Sequence, residues 1–326
     1  MTESMIPKML EAYRHKSAKI QAKRLTFLGA DGFDVYNPAA PFNYKGKNII
    51  CARVEKRDSE VSQSVFFEKI EEDVYRVMEG MKRYPLQDPC IAKVCGKYVL
   101  GGTEVIPHTA NPEWVSWHTT FYCGDTLEHL ERLTEGPLGM KDIRLVELLD
   151  KRIGIFTRPQ GEKGGRGKIG FTVVDDLNNI TPAIMEEAPL IDMFSEEEWG
   201  GVNEAVLLPD GKIGVLGHIA CFEPENVRHY YPMAFEFSPE DMSFTPPVIL
   251  AERRDLLAGD SKRPDLEDVL FPGGLHLKGE QAILYVGVSD CEVQYLTIQN
   301  PFSRVYNKEC WGYFGDNLKK GRGELF

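Results

Sequence analysis

Two patterns of apolar residues follow one another along the chain. From about residue 26 onward, short runs rich in Val, Ile, Phe and Tyr alternate with Gly, Pro, Asp and Asn, which is typical of β-strands joined by tight turns. The sequence therefore predicts a helical N-terminal segment, residues 1–25, followed by a single all-β domain, residues 26–326. The helix is predicted because apolar side chains recur there at three- and four-residue steps, at Met5, Ile6, Met9, Leu10 and Tyr13.

Five β-hairpins recur through the predicted β domain. Each has a strand, a tight turn and a second strand, and successive turns are 50, 54, 61 and 68 residues apart. These intervals suit four-stranded propeller blades with loop insertions. The repeat favours a five-bladed β-propeller over a β-sandwich, which also fits a strand-rich sequence. The hairpins cover residues 42–55, 91–104, 145–159, 205–219 and 275–290, with turns at Gly46, Gly96, Asp150, Gly211 and Gly279.

Every hairpin also has two polar residues at the end opposite its turn. An antiparallel pair places residues equidistant from the turn side by side. Around one propeller axis, the five pairs would converge on one mouth of the central channel and form a polar pocket of the size of a sugar. These residues are Asn37, Asp88, Asp142, Asn203 and Asp268 before the first strands, and Arg53, Glu104, Arg158, His218 and Asp290 after the second strands.

Two segments of this set have the residue types of acid catalysis and anion binding. Pro89 disfavours a helical backbone at Asp88, so we expect a carboxylate on a stiff extended segment, as a general acid requires and as an ordinary Asp-Pro turn would also show. Lys141, Asp142 and Arg144 stand at a strand entrance, with Arg158 across the hairpin. Cations beside one carboxylate suit phosphate or, alternatively, a surface salt-bridge cluster.

Charge and cysteine usage limit the partners. The 326 residues include 38 basic and 50 acidic side chains, a formal net charge of −12, which disfavours a broad nucleic-acid or anionic-membrane surface. The sequence has no signal-peptide pattern and no apolar stretch near the roughly 20 residues of a membrane span, so it predicts a cytoplasmic protein. Seven cysteines without a CxxC pair argue against disulfides and zinc. We therefore expect reduced thiols, mostly in the core, and no metal.

Six short segments occur in order through most of residues 35–295: ARVEKR (52–57), QDPCIAKVCGKYVL (87–100), MKDIRLVELLDKRIGIFTRP (140–159), NEAVLLPDGKIGVLGHIA (203–220), DVLFPGGL (268–275) and LYVGVSD (284–290). Together they resemble the β-mannoside phosphorylases of glycoside hydrolase family 130 and the mannosyltransferase/phosphorylases of glycosyltransferase family 108. The resemblance implies a five-bladed propeller, in agreement with the hairpin repeat, and inverting chemistry with a single protein carboxylate.

The resemblance also implies individual roles. Asp88 would be the general acid toward the glycosidic oxygen, by way of a sugar hydroxyl, while phosphate attacks the anomeric carbon from the opposite face. An inverting hydrolase needs a second carboxylate, whereas a phosphorylase replaces it with cations that hold phosphate. The implied phosphate-binding residues are Arg53, Lys141, Arg158, His218 and Tyr231, with Tyr230 as the alternative to Tyr231. The implied sugar-binding residues are Asn37, Glu104, Asp142, Asn203, Asp268 and Asp290.

The expected activity is thus phosphorolysis and synthesis of β-mannosides, with β-1,2-linked oligomannosides, mannose and mannose 1-phosphate as substrates. Inorganic phosphate is the co-substrate, a nucleotide sugar is a further candidate donor, and no other cofactor is expected. One alternative is a β-mannoside hydrolase whose second carboxylate is Glu104 or Glu204. Another is a non-catalytic sugar-binding propeller. The N-terminal helix fits packing on its own propeller or on a neighbouring subunit, so a homo-oligomer is one expected state.

Overall fold

Five β-sheets arranged around a central channel form a five-bladed β-propeller, with a short helix at the N-terminus, and the predicted fold is confirmed. The computed structural model describes residues 4–16, 21–107, 115–223 and 227–303. Residues 304–326, which the sequence analysis assigns to the propeller domain, lie outside the described residues, and so does Cys310.

The described strands, numbered in chain order, form one sheet per blade. The first blade contains β2 (Thr26–Leu28), β3 (Asp34–Tyr36), β4 (Phe42–Tyr44), β5 (Lys47–Glu55), β6 (Ser62–Glu71) and β7 (Val74–Val77). The second contains β8 (Gln87–Val94), β9 (Lys97–Pro107), β10 (Val115–Gly124) and β11 (Glu131–Glu135). The third contains β12 (Arg144–Glu147), β13 (Ile153–Thr157) and β14 (Gly170–Val174).

The fourth blade contains β15 (Trp199–Leu207), β16 (Ile213–Phe222), β17 (Arg228–Phe237) and β18 (Val248–Ile249). The fifth contains β19 (Leu270–Lys278), β20 (Gln281–Val288), β21 (Glu292–Gln299) and β1 (Ala22–Arg24). The helices are α1 (Ile6–Lys16), α2 (Gly161–Gly164) and α3 (Pro182–Glu187).

The five predicted hairpins are the pairs β4–β5, β8–β9, β12–β13, β15–β16 and β19–β20, all antiparallel. Four of their turns place a glycine in the left-handed region, with φ of 60–87° at Gly46, Gly96, Gly211 and Gly279. Residues other than glycine rarely adopt this backbone conformation. The local turn chemistry therefore fixes where each hairpin reverses.

The N-terminal strands close the ring. β1 pairs antiparallel with β21 at the outer edge of the fifth blade, and β2 then pairs parallel with β7 in the first blade. The predicted helical segment is consequently too long, because α1 ends at Lys16 and residues 22–24 belong to the propeller. An edge strand offers unpaired backbone groups, and pairing with this edge decides the conformation of residues 22–24.

Helix α1 packs on its own propeller. Ile6 and Met9 are buried against residues of the third and fourth blades. At the N-terminus of the helix, Glu198 Oε1 accepts hydrogen bonds from Ser4 Oγ at 2.7 Å, from Met5 N at 2.7 Å and from Ile6 N at 2.8 Å. A carboxylate is favourable here because the first N–H groups of a helix have no partner within it.

The cysteines are less buried than expected. Of the six described cysteines, only Cys51 and Cys291 lie in the core. Cys90, Cys123 and Cys221 are half-buried, and Cys95 is exposed at the β8–β9 turn. All six are free thiols. Within the described ranges, no group of three or more His, Cys, Asp or Glu side chains could hold a metal ion, and no helix is long and apolar enough to cross a membrane.

Candidate active site

A polar cavity of about 180 Å³ lies at the mouth of the channel opposite the hairpin turns. The structure brings together eight of the residues that the sequence analysis assigns to a site. They are Asn37, Arg53, Asp88, Lys141, Asp142, Arg158, His218 and Asp290.

Asp88 is held by one of its two carboxylate oxygens. Its side chain is buried, and Oδ1 accepts hydrogen bonds from Asn37 Nδ2 at 2.8 Å and from Arg53 Nη1 at 3.3 Å. Arg53 is fixed in turn by Glu55, at 2.6 Å, and by Ser62 Oγ, at 2.8 Å. Among the described residues no hydrogen bond engages Asp88 Oδ2, which leaves this oxygen for a ligand.

Four cavity residues have a left-handed backbone, with φ of 42° at Asn37, 50° at Asp88, 59° at Asp142 and 55° at Asp290. Asn and Asp tolerate this region better than other residues with a side chain, and it still costs about 1 kcal/mol or more per residue. The extended backbone expected at Asp88 is therefore wrong. The left-handed backbone at Asp88 accompanies a bulge in β8. Gln87 pairs with Thr103 and Cys90 pairs with Gly101, so Asp88 lies outside the ladder.

Cationic side chains of the third blade also line the cavity. Arg158 is 2% exposed, its Nε donates to the Gly200 carbonyl at 2.7 Å, and its Nη1 lies 3.3 Å from Asp142 Oδ2. Lys141, on the same blade, also lines the cavity. Close packing holds Arg158 in place, because a Cβ atom at Gly201 would lie only 2.6 Å from Arg158 Cδ.

His218 lies beside these cations and is 1% exposed. Its ring stacks on Tyr230, with centroids 5.4 Å apart, and packs on Phe271 at the same distance. Nδ1 is 2.8 Å from Asn203 Oδ1. Burial, assisted by Arg158, holds the pKa of His218 well below its ordinary 6.5, so the imidazole is neutral at neutral pH.

The blades divide the cavity into two chemically different halves. The fifth, first and second blades contribute Asp290, Arg53 and Asp88, and burial raises the pKa of Asp290. The third and fourth blades contribute Lys141, Arg158 and the neutral His218. The cavity therefore contains carboxyl groups that can donate a proton and cations that can hold an anion beside one bound sugar.

The sequence profile of a family described as "Protein of unknown function (DUF1861)" matches residues 12–304. The chain belongs to this family. No curated protein matches the DUF1861 chain in sequence.

Solved structures similar to this DUF1861 chain include two enzymes from Leishmania mexicana. One is MPT-4, a mannose phosphorylase in complex with phosphate, at 34% identity and a TM-score of 0.85 over 92% of this chain and 94% of that chain. The other is MPT-1, a GDP-Man-dependent mannosyltransferase, at 30% identity and a TM-score of 0.84 over 93% and 97%. The resemblance stated from the sequence is confirmed.

A β-1,2-mannobiose phosphorylase from Listeria innocua also aligns with the DUF1861 chain. Identity is 14% and the TM-score is 0.60, over 82% of this chain and 91% of that chain. This match shows the shared propeller fold.

Four residues assigned to the site from the sequence do not line the cavity of the DUF1861 chain. Tyr231 packs into the core, and its neighbour Tyr230 lines the cavity instead. Glu104 binds Thr120 Oγ1 at 2.7 Å and Arg132 at 3.2 Å on the second blade. Two shifts of register are the reason. The β8–β9 turn pairs Lys93 with Tyr98, which is one residue off the spacing that placed Glu104 beside Asp88, and the bulge at Asp88 shifts the strands by one residue more.

The other two residues also lie outside the cavity. Asn203 is the extra residue of a bulge between Val202 and Glu204, and its side chain contacts His218 rather than the cavity. Asp268 precedes the first residue of β19, and its carboxylate is hydrogen-bonded to His229 Nδ1.

The sequence analysis missed several cavity residues. Gln87 directly precedes Asp88 and could have been found from that adjacency. Phe271 lies in β19 but ahead of the predicted hairpin range, 275–290. The others come from loops between and within blades or from a third strand, which the hairpin alignment does not cover. They are Glu60, Arg228, Arg263, Leu266 and Val269.

Proposed function

We propose that this protein is an inverting β-mannoside phosphorylase, which transfers a mannosyl group between β-mannosides and inorganic phosphate. The observation that carries the proposal is the cavity that brings Asp88 together with Arg158, Lys141 and His218. The 34% identity to a mannose phosphorylase that binds phosphate supports mannose and phosphate as the substrates. β-1,2-linked oligomannosides are the proposed mannosides.

In phosphorolysis, Asp88 donates a proton toward the glycosidic oxygen while a phosphate oxygen forms a bond to the anomeric carbon. The bond between that carbon and the glycosidic oxygen breaks, and its electron pair goes to the leaving sugar. The proton gained by the leaving sugar is matched overall by the one that hydrogen phosphate loses. Arg158 and Lys141 stabilise the negative charge of the attacking phosphate.

The placement of the other carboxylates disfavours a hydrolase. Neither candidate for its second carboxylate, Glu104 or Glu204, lines the cavity. Three other carboxylates do line it. Asp142 faces the Arg158 guanidinium at 3.3 Å and Glu60 pairs with Lys262 at 3.1 Å, which opposes a role as a base, and burial of Asp290 disfavours the ionised form that a base needs. The cations of the cavity suit a phosphorylase instead.

The direct test is incubation with mannose 1-phosphate and either mannose or β-1,2-mannobiose, with phosphate release as the readout. We expect release by the wild type and a loss of at least about 100-fold in Asp88→Asn. Asp150→Asn, at an exposed turn of the third blade, is the matched control and should retain full activity. The proposal fails if the wild type releases no phosphate or if Asp88→Asn is undiminished.

The same assay separates the alternatives. Free mannose formed from a β-mannoside without phosphate would indicate a hydrolase. Sugar binding measured by calorimetry, with no turnover and no effect of Asp88→Asn, would indicate a non-catalytic propeller.

Mannosyl transfer from a nucleotide sugar is a second candidate function. Two partly exposed arginines, Arg228 and Arg263, line the cavity in addition to the cations above, and both pair with Asp265, at 3.6 and 3.2 Å. They could hold the further phosphate of a nucleotide sugar. GDP release from GDP-mannose in the presence of mannose tests this activity.

The cytoplasmic location, a homo-oligomeric state and the lack of a cofactor other than phosphate stay predictions from the sequence.

A further inference from the structure

Asn203 connects the cavity to the far side of the channel. It is buried, with 3% of its surface exposed, and its side chain projects from the bulge in β15. It lines a second cavity, of about 940 Å³ at the other end of the channel, and does not line the polar one. A direct contact with a sugar in the polar cavity is therefore not its role.

The backbone of Asn203 is clamped by Arg144. The Arg144 side chain is buried, its Nε donates to the Asn203 carbonyl at 2.7 Å, and its Nη1 donates to the Ile143 carbonyl at 3.0 Å. These bonds fix the backbone position from which the Asn203 carboxamide reaches Nδ1 of His218.

The contact at Nδ1 decides what His218 offers to the cavity. The Asn203 oxygen accepts a hydrogen bond, so Nδ1 carries the proton and Nε2 carries a lone pair. The charges around the ring keep it neutral. Arg158, Lys141 and Arg144, all from the third blade, lower the pKa of His218 in addition to the effect of burial. From the fourth and fifth blades the ring is covered by Tyr230 and Phe271.

We infer that Asn203 is a positioning residue that holds His218 in the Nδ1–H tautomer, and that Nε2 thereby selects hydrogen phosphate over sulfate. Hydrogen phosphate has one P–OH group that can donate to Nε2, whereas sulfate at neutral pH has no donor. The inference rests on the proposed function in that phosphate is taken as the anion bound beside Arg158 and Lys141.

The first test is the tautomer itself. NMR spectra of ¹⁵N-labelled full-length protein that correlate the ring nitrogens of histidine with its carbon-bound ring protons, through two bonds, distinguish the two neutral forms and the cation. Comparison with His218→Gln identifies the His218 signals. We expect the Nδ1–H form at pH 7.5, before and after addition of phosphate. An Nε2–H form or an imidazolium would overturn the inference.

The second test is anion selectivity, measured by calorimetry with inorganic phosphate and with sulfate at pH 7.5. We expect the wild type to prefer phosphate by at least about tenfold, the size of effect of one hydrogen bond to a charged partner. In Asn203→Ala the preference should fall below about threefold through weaker phosphate binding, because the two cations that bind sulfate remain.

Two variants complete the design. His218→Gln, whose amide can present either an oxygen or an N–H group, should show the same loss of preference. Asn48→Ala, in β5 of the first blade, is the matched control and should keep the preference, since Asn48 Oδ1 accepts a hydrogen bond from the Tyr75 hydroxyl and the residue does not line the polar cavity. The inference is refuted if folded Asn203→Ala keeps the wild-type ratio of phosphate affinity to sulfate affinity. If Asn203→Ala does not fold, an unchanged ratio in His218→Gln refutes it.

These measurements need no turnover. A protein with the expected tautomer and anion preference that fails to transfer mannose would refute the proposed function alone. A protein that transfers mannose but shows the Nε2–H form would refute the inference alone.

Discussion

Replacement of Glu204 by Gln is expected to remove a pH-dependent loss of stability. Glu204 lies beside the bulge in β15, faces the larger cavity, and accepts a hydrogen bond from the Leu275 backbone N–H at 2.6 Å. Burial raises its pKa from 4.5 to about 7, against the opposing effects of the Leu275 hydrogen bond and Arg144. The folded protein therefore favours the neutral carboxylic acid.

The sign and size of the effect follow from proton linkage. Between pH 4.5 and 7 the folded state keeps a proton that the unfolded chain releases, so the free energy of unfolding falls as the pH rises. The full difference corresponds to roughly 3 kcal/mol at about 1.36 kcal/mol per pKa unit. Below pH 4.5 both states are protonated and the loss is absent, and above pH 7 it is complete.

Gln cannot ionise, and its side-chain oxygen can still accept from Leu275. Urea denaturation followed by tryptophan fluorescence should show Glu204→Gln close to the wild type at pH 5 and more stable by about 2–3 kcal/mol at pH 8. Glu79 is exposed, so Glu79→Gln is the matched control. Its free energy of unfolding relative to the wild type should be the same at both pH values. A Glu204→Gln variant that differs from the wild type equally at both pH values would refute the reasoning.

The same variant bears on function. Because Glu204 faces the opposite end of the channel, Glu204→Gln should keep phosphate release from mannose 1-phosphate within about twofold of the wild type. A hydrolase that used Glu204 as its base would instead lose activity by about 100-fold or more.

Three further changes test the site and its support. In Gly287→Ala the new Cβ would lie 1.8 Å from Asn37 Oδ1, so Asn37 must move away from Asp88. Turnover should therefore fall at least about tenfold. Kinetics that match the wild type would show that the contact between Asn37 and Asp88 is dispensable. Glu198→Ala removes three hydrogen bonds to the N-terminus of α1 and should cost about 1–2 kcal/mol in urea denaturation without changing turnover, whereas an unchanged midpoint would contradict the anchoring role. Arg158→Lys loses the planar fork, so KM for phosphate should rise at least about tenfold in steady-state assays, and an unchanged KM would remove Arg158 from the phosphate site.

The repeat of hairpins could be predicted because its causes are local. Glycines that tolerate positive φ fix the turns, and alternating apolar residues fix the strands, so the blade count follows from sequence alone. Asp88 and Arg158 could also be placed near each other from the sequence, since each lies at the end of a predicted inner strand opposite its turn.

The register at the cavity could not be predicted in the same way. Asp88 and Asn203 stand at bulges, where one strand gains a residue relative to its partner. A bulge arises from packing against neighbouring blades and leaves no periodic trace in the sequence, so counting residues from the turn misplaces Glu104 and Asn203. The choice between Tyr230 and Tyr231 has the same origin, because adjacent strand residues face opposite sides and only the assembled sheet shows which side is the cavity.

The sequence by itself determined the five-bladed propeller, the end of the channel at which the polar residues gather, and the combination of one Asp-Pro carboxylate with several cations. Tertiary structure decided which of those polar residues share the cavity, that α1 packs on its own propeller and that β1 completes the fifth blade. The reason is physical: turns and strand patterns depend on neighbours in the chain, whereas bulges, edge pairing and side-chain protonation depend on what the other blades bring into contact.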